Sequence, residues 1–333
     1  VKKMLGLLIN KPGELELKEI PSTTILQDNE VKIRLIYGGI CGSDLSVFKG
    51  RLAHATYPIC PGHELIGTIF EVGRNSTFEI GQRVVVMPNS YCDECENCRN
   101  GRRNICINKK SLGVNIDGGF SEEFIISEKY VMRIPDELPN EKAVLIEPFA
   151  VIVHALEKVS ITKDTTVAII GCGTEGLLAI TLANHLGATI TGVDIKHEKL
   201  EKIKGIFPNI ETALPEGVKG KVFDVVIETA GARSSFEQGV EIVKPGGAMV
   251  LVGITPEATI PVVQVVRKEI TLYGSIIYNI PNDFQKSIDY LKKESFKVDQ
   301  IVSKIYHFTD YAKAYEDATS GNYGKILLNF REV

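Results

Sequence analysis

"VAIIGCGTEGLLAI", residues 167–180, decides the reading of this 333-residue chain. Its first four residues are apolar without alternation, which suits a strand buried on both faces in a parallel sheet. Gly171-Cys172-Gly173-Thr174-Glu175-Gly176 follows directly, and a helix is predicted over 175–186. In a G-x-G-x-x-G turn placed between strand and helix, each glycine has a role. Gly171 permits the tight turn, Gly173 lets the backbone approach a pyrophosphate, and Gly176 lets helix and strand pack closely. The anion then sits on the helix N-terminus, at Thr174. Asp194 ends the next strand, where a carboxylate can accept hydrogen bonds from a ribose 2′-hydroxyl and would repel a 2′-phosphate. NAD is therefore expected over NADP; the competing reading is a glycine-rich turn and a surface aspartate. Glu175 is an oddity beside a pyrophosphate and is expected to point to solvent.

Outward from this turn, strands predicted over 165–170, 189–195, 223–230 and 248–254 alternate with helical stretches, the pattern of a doubly wound parallel sheet. Residues 1–149 follow a different grammar. The β-branched runs 30–40, 63–73, 82–88 and 121–135 are separated by Gly, Pro and Asn, as in a small barrel-like all-β domain. Segments 281–296 and 308–321 have helical periodicity and are expected to return to that first domain. The fold class is thus α/β plus β, with boundaries at 1–149, 150–276 and 277–333.

Lys and Arg number 38 against 42 Asp and Glu, so bulk charge does not favour a nucleic-acid surface. No stretch approaches the eighteen apolar residues of a membrane span, and the run Met4–Ile9 is short for a signal-peptide core. Seven cysteines, mostly at ligand-like spacing, suggest a reducing compartment, and a cytoplasmic location is expected.

Four of those cysteines lie in "YCDECENCRNGRRNIC", residues 91–106: Cys92, Cys95, Cys98 and Cys106. Three close thiols and a fourth returning after seven residues can wrap one tetrahedral Zn²⁺. A disulfide between Cys92 and Cys95 would close a very tight ring. Iron–sulfur ligation is the nearer rival, but its fourth cysteine usually comes sooner and precedes proline, whereas Cys106 precedes Ile107. Four thiolates leave no position for substrate, so this lobe, about 90–107, reads as a brace. A second ligand set lies earlier. "GGICGSD" supplies Cys41, and "PGHELIG" supplies His63 and Glu64. A thiol, an imidazole and a carboxylate from separate loops suit a zinc site with one open position.

In their order, "GGICGSD", "YPICPGHELIGTI", the four-cysteine lobe, "DGGFSEEF", "IEPFAVIVHA" and the glycine turn resemble the zinc-dependent medium-chain alcohol and polyol dehydrogenase family, over essentially the whole chain. That resemblance implies a GroES-like catalytic domain, a Rossmann domain, and a catalytic zinc in the cleft between them. It implies Cys41, His63 and Glu64 as ligands, with Glu147 of "EP" at the position where the classical alcohol dehydrogenases carry cysteine, as in the sorbitol dehydrogenase branch. It also implies Ser43 in a proton relay and Lys199 reaching the same ribose as Asp194. Many relatives end the relay at a histidine where this chain has Ser46; His54 is a conceivable substitute but reads as a loop residue, and Cys60 as packing. The expected activity is hydride transfer between NAD and a polyol or other secondary alcohol, with two zinc ions per chain and a homodimer or homotetramer as the assembly. A threonine- or sugar-oxidising relative and a non-catalytic nucleotide-binding protein are the alternatives. Ile277 and Tyr278 are expected to line the substrate pocket.

Overall fold

The computed structural model describes residues 3–22 and 25–331. The chain separates into two units, one formed by Val1–Glu147, Asn279–Lys292 and Val302–Val333, the other by Pro148–Tyr278 and Lys293–Ile301.

In the second unit six strands form a parallel sheet in the order Glu211–Ala213, Thr189–Val193, Thr166–Ile170, Phe223–Glu228, Val243–Leu251, Thr271–Gly274. Numbered along the chain this is 3-2-1-4-5-6, the doubly wound arrangement, with its reversal beside Thr166–Ile170. That strand is buried from Val167 onward, which explains its unbroken apolar run. The glycine turn leaves its carboxyl end and opens the helix Thr174–His185. Segment 293–301 belongs here rather than with the rest of the C-terminal region, because Phe296 is fully buried against Phe149 and the His185 ring, with centroids 5.0 and 5.7 Å away.

The first unit is built on a seven-stranded sheet whose long strand Glu30–Ile40 has one edge divided between two partners. Glu123–Ser127 pairs with residues 30–34 and Lys325–Asn329 with residues 37–40, while Glu64–Val72 runs antiparallel along the other edge. Alternate residues Val31, Ile33 and Leu35 enter a core with Leu65, Ile69, Val84, Phe120 and Leu328. The apolar run Met4–Ile9 lies in a strand, Lys3–Lys11, that pairs with Glu14–Pro21 around Pro12 and Gly13; Gly13 takes φ 82° in that turn. Two C-terminal elements complete this unit, the parallel strand Val302–His307 and the helix Tyr311–Ser320. Among the described residues, no helix is long and apolar enough to cross a membrane.

Candidate metal centres and nucleotide turn

Ligand atoms of Cys92, Cys95, Cys98 and Cys106 all lie within 4.8 Å of one another, so the four thiols can hold a single ion. Sulfurs around a tetrahedral Zn²⁺ with bonds of about 2.3 Å stand roughly 3.8 Å apart. The Cys106 and Cys92 sulfurs are 3.5 Å apart, close to that spacing and far outside a disulfide bond. A multi-iron cluster would need its thiolates spread wider. Backbone N–H groups support the sulfurs: Cys95 donates to Cys92 Sγ at 3.3 Å and Cys92 to Cys106 Sγ at 3.4 Å. The amides of Cys95 and Glu94 draw the Cys92 thiol down to about 6, whereas burial pushes Cys98 up to about 12. The lobe is tied to the returning chain, since Arg103 donates to the Ile280 carbonyl at 3.2 Å and the Asn104 amide to Asn279 Oδ1 at 3.3 Å.

A second group brings together Cys41, His63 and Glu64, again within 4.8 Å. Cys41 follows the long strand as the N-cap of the helix Gly42–Phe48, and Glu64 begins the neighbouring strand opposite Gly39. That glycine is required: a Cβ there would stand 2.0 Å from Glu64 Oε2. Glu64 is wholly buried, and its Oε1 accepts from Lys325 Nζ at 2.5 Å, itself 2% exposed. Oε2 has no hydrogen-bond partner among the described residues, although buried carboxylate oxygens are costly to leave unmatched.

Asp44, which the spacing argument did not single out, joins the three. Its Oδ2 accepts from the Cys41 amide at 2.9 Å, and its Oδ1 accepts from the Gly62 amide at 3.3 Å and lies 3.2 Å from His63 Nδ1. The last contact has ion-pair distance but not hydrogen-bond alignment, so His63 Nδ1 remains without a bond. Burial opposes charge on the His63 ring, yet Asp44 and Cys41 outweigh it and hold its pKa well above the usual range. Burial pushes the Cys41 thiol up; His63 pulls it back and Glu64 adds to the rise. A buried carboxylate oxygen without a partner among the described residues, beside a thiol, an imidazole and a second carboxylate, makes a centre that favours a cation.

Ser43 Oγ lies 3.4 Å from His63 Nε2. Ser46 does not extend a chain from it, because its hydroxyl donates to the Gly42 carbonyl at 3.0 Å. His54 is an exposed loop residue, and Cys60 is buried with its thiol on the Pro61 carbonyl. Glu147 stands outside the three-ligand group. It is 5% exposed in the first turn of the helix Ile146–Leu156, and Ser287 Oγ donates to the adjoining Ile146 carbonyl at 2.8 Å. Tyr278 is among the largest fully buried side chains, and Ile277 adopts φ 41°, unusual for a β-branched residue.

In the nucleotide turn, two glycines answer to the protein's own packing. A Cβ on Gly171, at φ 93°, would stand 2.7 Å from the Ala230 nitrogen, and one on Gly176 only 1.8 Å from the Gly171 carbonyl oxygen. Gly173 meets nothing within 4 Å, so its bare backbone faces open space at the start of a twelve-residue helix. A phosphate-bearing ligand fits that cradle. Thr174 follows it as the first helical residue, and Glu175 is half-buried in the same turn. Asp194 holds the turn's shape, its Oδ2 accepting from the Cys172 amide at 2.8 Å and Oδ1 from the Lys196 amide at 2.9 Å; Lys199 Nζ lies 3.7 Å away.

Residues 27–136 match the alcohol dehydrogenase GroES-like domain family, and residues 176–293 the family described as zinc-binding dehydrogenase. The sorbitol dehydrogenase of Halalkalibacterium halodurans is 32% identical over 95% of this chain and 96% of its own length. Galactitol-1-phosphate dehydrogenase from Escherichia coli has a similar solved structure, with a TM-score of 0.89 at 29% identity over 98% of this chain and 100% of that one. The alcohol dehydrogenase rspB from E. coli CFT073, complexed with NADH, gives 0.90 at 28% identity over 98% and 99%.

Proposed function

The chain belongs to the zinc-dependent medium-chain alcohol and polyol dehydrogenase family, and on that premise we propose that it transfers a hydride between NAD and a polyol or other secondary alcohol. The observation that carries the proposal is the group Cys41, His63 and Glu64, whose three ligand atoms lie within 4.8 Å of one another, one short of the four that zinc takes. When bound there, zinc supplies a Lewis acid and NAD the hydride acceptor. The side chains do the rest. Asp44 turns the His63 ring so that Nε2 faces the centre, as carboxylates do for ligating histidines. Lys325 holds Glu64 through Oε1 and leaves Oε2 for the centre. The Ser43 hydroxyl relays the proton that leaves the substrate oxygen, accepting it while donating its own onward through the nicotinamide ribose; Ser46, which donates to the Gly42 carbonyl, does not extend the relay. Glu147 would be a further ligand, bound directly or exchanging with water.

The four cysteines hold a second, structural zinc and brace the lobe against residues 279–280. A panel of free and phosphorylated sugar alcohols, vicinal diols and matched mono-alcohols, followed by NADH absorbance, tests the activity. Absence of NADH formation with every polyol at saturating NAD, in protein holding both zincs, would remove it.

Gly171, Gly173, Thr174 and Gly176 cradle the NAD pyrophosphate, and Asp194 with Lys199 reads the ribose. Asp194→Asn is expected to lower the NAD-over-NADP ratio of kcat/KM about 10- to 150-fold, the equivalent of one charge-assisted hydrogen bond of about 1.5–3 kcal/mol. An unchanged ratio would refute the role.

A homodimer or homotetramer is supported by an apolar row, Val262, Val263 and Val266 at 64, 59 and 69% exposure, in the segment before the edge strand Thr271–Gly274. A monomer mass by light scattering would exclude it. Unpaired cysteines support a cytoplasmic location, which fractionation of the host cell would test.

A further inference from the structure

Tyr315 is 3% exposed, and its hydroxyl has no hydrogen-bond partner among the described residues. A buried phenol usually finds one, and an unmatched hydroxyl costs about 1–3 kcal/mol. The residue sits on the helix Tyr311–Ser320, its ring edge-on to Phe48 with centroids 5.7 Å apart. Phe48 and Asp44 are four residues apart on the helix Gly42–Phe48 and share one face of it. The Tyr315 ring thus lies along the face that presents Asp44. Burial above all, with the charge of Asp44 adding to it, pushes the phenol well above its usual range.

Asp44 has capacity for one more donor. An ionised carboxylate offers about four lone-pair positions. Two are taken by the Cys41 and Gly62 amides, and His63 Nδ1 stands 3.2 Å away without a bond. Cys60, the other neighbour, already places its own thiol on the Pro61 carbonyl and offers only a weak sulfur acceptor.

We infer that the Tyr315 hydroxyl is a positioning donor to the Asp44 carboxylate in the metal-loaded protein, fixing through it the His63 ring and the Cys41 backbone. The inference rests on the reading of Cys41, His63 and Glu64 as a metal site. It makes Tyr315 part of the support of that site, reached from the C-terminal helix, without contact with substrate.

Tyr315→Phe removes only the hydroxyl and keeps the ring against Phe48, so the fold is retained. Cobalt(II) is titrated against a competing chelator into protein stripped of the metal at Cys41 but retaining the four-cysteine zinc, and the thiolate-to-cobalt absorption band is followed. Tyr315→Phe is expected to weaken cobalt binding about 10- to 100-fold, the usual range for removing an outer partner of a metal ligand, and to lower kcat with little change in the KM for NAD. Cys60→Ala should leave cobalt affinity within about twofold. Wild-type cobalt affinity in Tyr315→Phe, with a raised unfolding midpoint, would show an ordinary unmatched core hydroxyl and overturn the inference. Equal weakening in Cys60→Ala would overturn the assignment to Asp44. Failure of the wild-type protein itself to produce the cobalt band would instead strike the metal reading, and is seen before any variant is made.

Discussion

Lys325→Met is expected to destabilise the protein by about 3–5 kcal/mol, the usual consequence of removing one partner from a buried ion pair. Glu64 is wholly buried and Lys325 2% exposed, and their contact is 2.5 Å long. Methionine fills much of the lysine volume but leaves Glu64 Oε1 buried without its donor. The Ile40 carbonyl, which also accepts from Lys325 Nζ at 3.3 Å, loses its donor in the same step. For a unit of this size each kcal/mol lowers the unfolding midpoint by about 2–4 °C, so a fall on the order of 10 °C should appear in a thermal melt. The double variant Lys325→Met with Glu64→Gln should recover part of the loss, because no buried charge remains. Zinc makes a further prediction. With Lys325 gone, the metal is the one remaining cation for Glu64, so stripping it should destabilise Lys325→Met more than wild type. A melt within 1 °C of wild type for the single variant would refute the pairing.

The Lys325–Glu64 pair also marks where sequence reasoning stopped. Its members are 261 positions apart, and "GKILLNF" reads as an apolar strand with an incidental lysine. Only the pairing of Lys325–Asn329 with the long strand brings that lysine under Glu64. Asp44 stood inside a quoted motif, yet its work is to join a backbone amide to a histidine nineteen residues on, which spacing does not display. The nucleotide turn was legible because its requirements are local: the conflicts at Gly171 and Gly176 arise within the strand–turn–helix unit and the neighbouring strand's loop. The four cysteines were legible for the same reason, all lying within fifteen residues. Segment 293–301 lies in the second unit, where Phe296 packs against Phe149, a contact that no periodicity announces.

Metal content should separate the two centres more sharply than activity alone. His63→Ala is expected to lose one of two zinc ions per chain and to cut turnover on the order of a thousandfold, since a Lewis acid is worth several kcal/mol at a developing charge. Two ligands, Cys41 and Glu64, would remain, and Asp44 would lose the group it orients. Cys95→Ser should also lose one zinc, but a different one. Its first consequence is a lower unfolding midpoint, because structural zinc contributes directly to folding, and any loss of turnover should follow the fraction unfolded. Glu147→Ala completes the set. The carboxylate lies outside the three-ligand group, so both zincs should stay, while turnover falls if Glu147 exchanges at the open position. A ligand set with carboxylate in place of a second thiolate is harder and more Lewis acidic, which suits weakly acidic secondary hydroxyls. A vicinal diol offers a second oxygen to orient the reacting carbon, and should show higher kcat/KM than a matched mono-alcohol in the wild type. Full turnover in Glu147→Ala would confine the metal site to Cys41, His63 and Glu64. Equal efficiency on diols and mono-alcohols would withdraw the preference for polyols and leave an alcohol dehydrogenase whose substrate is set by the pocket alone.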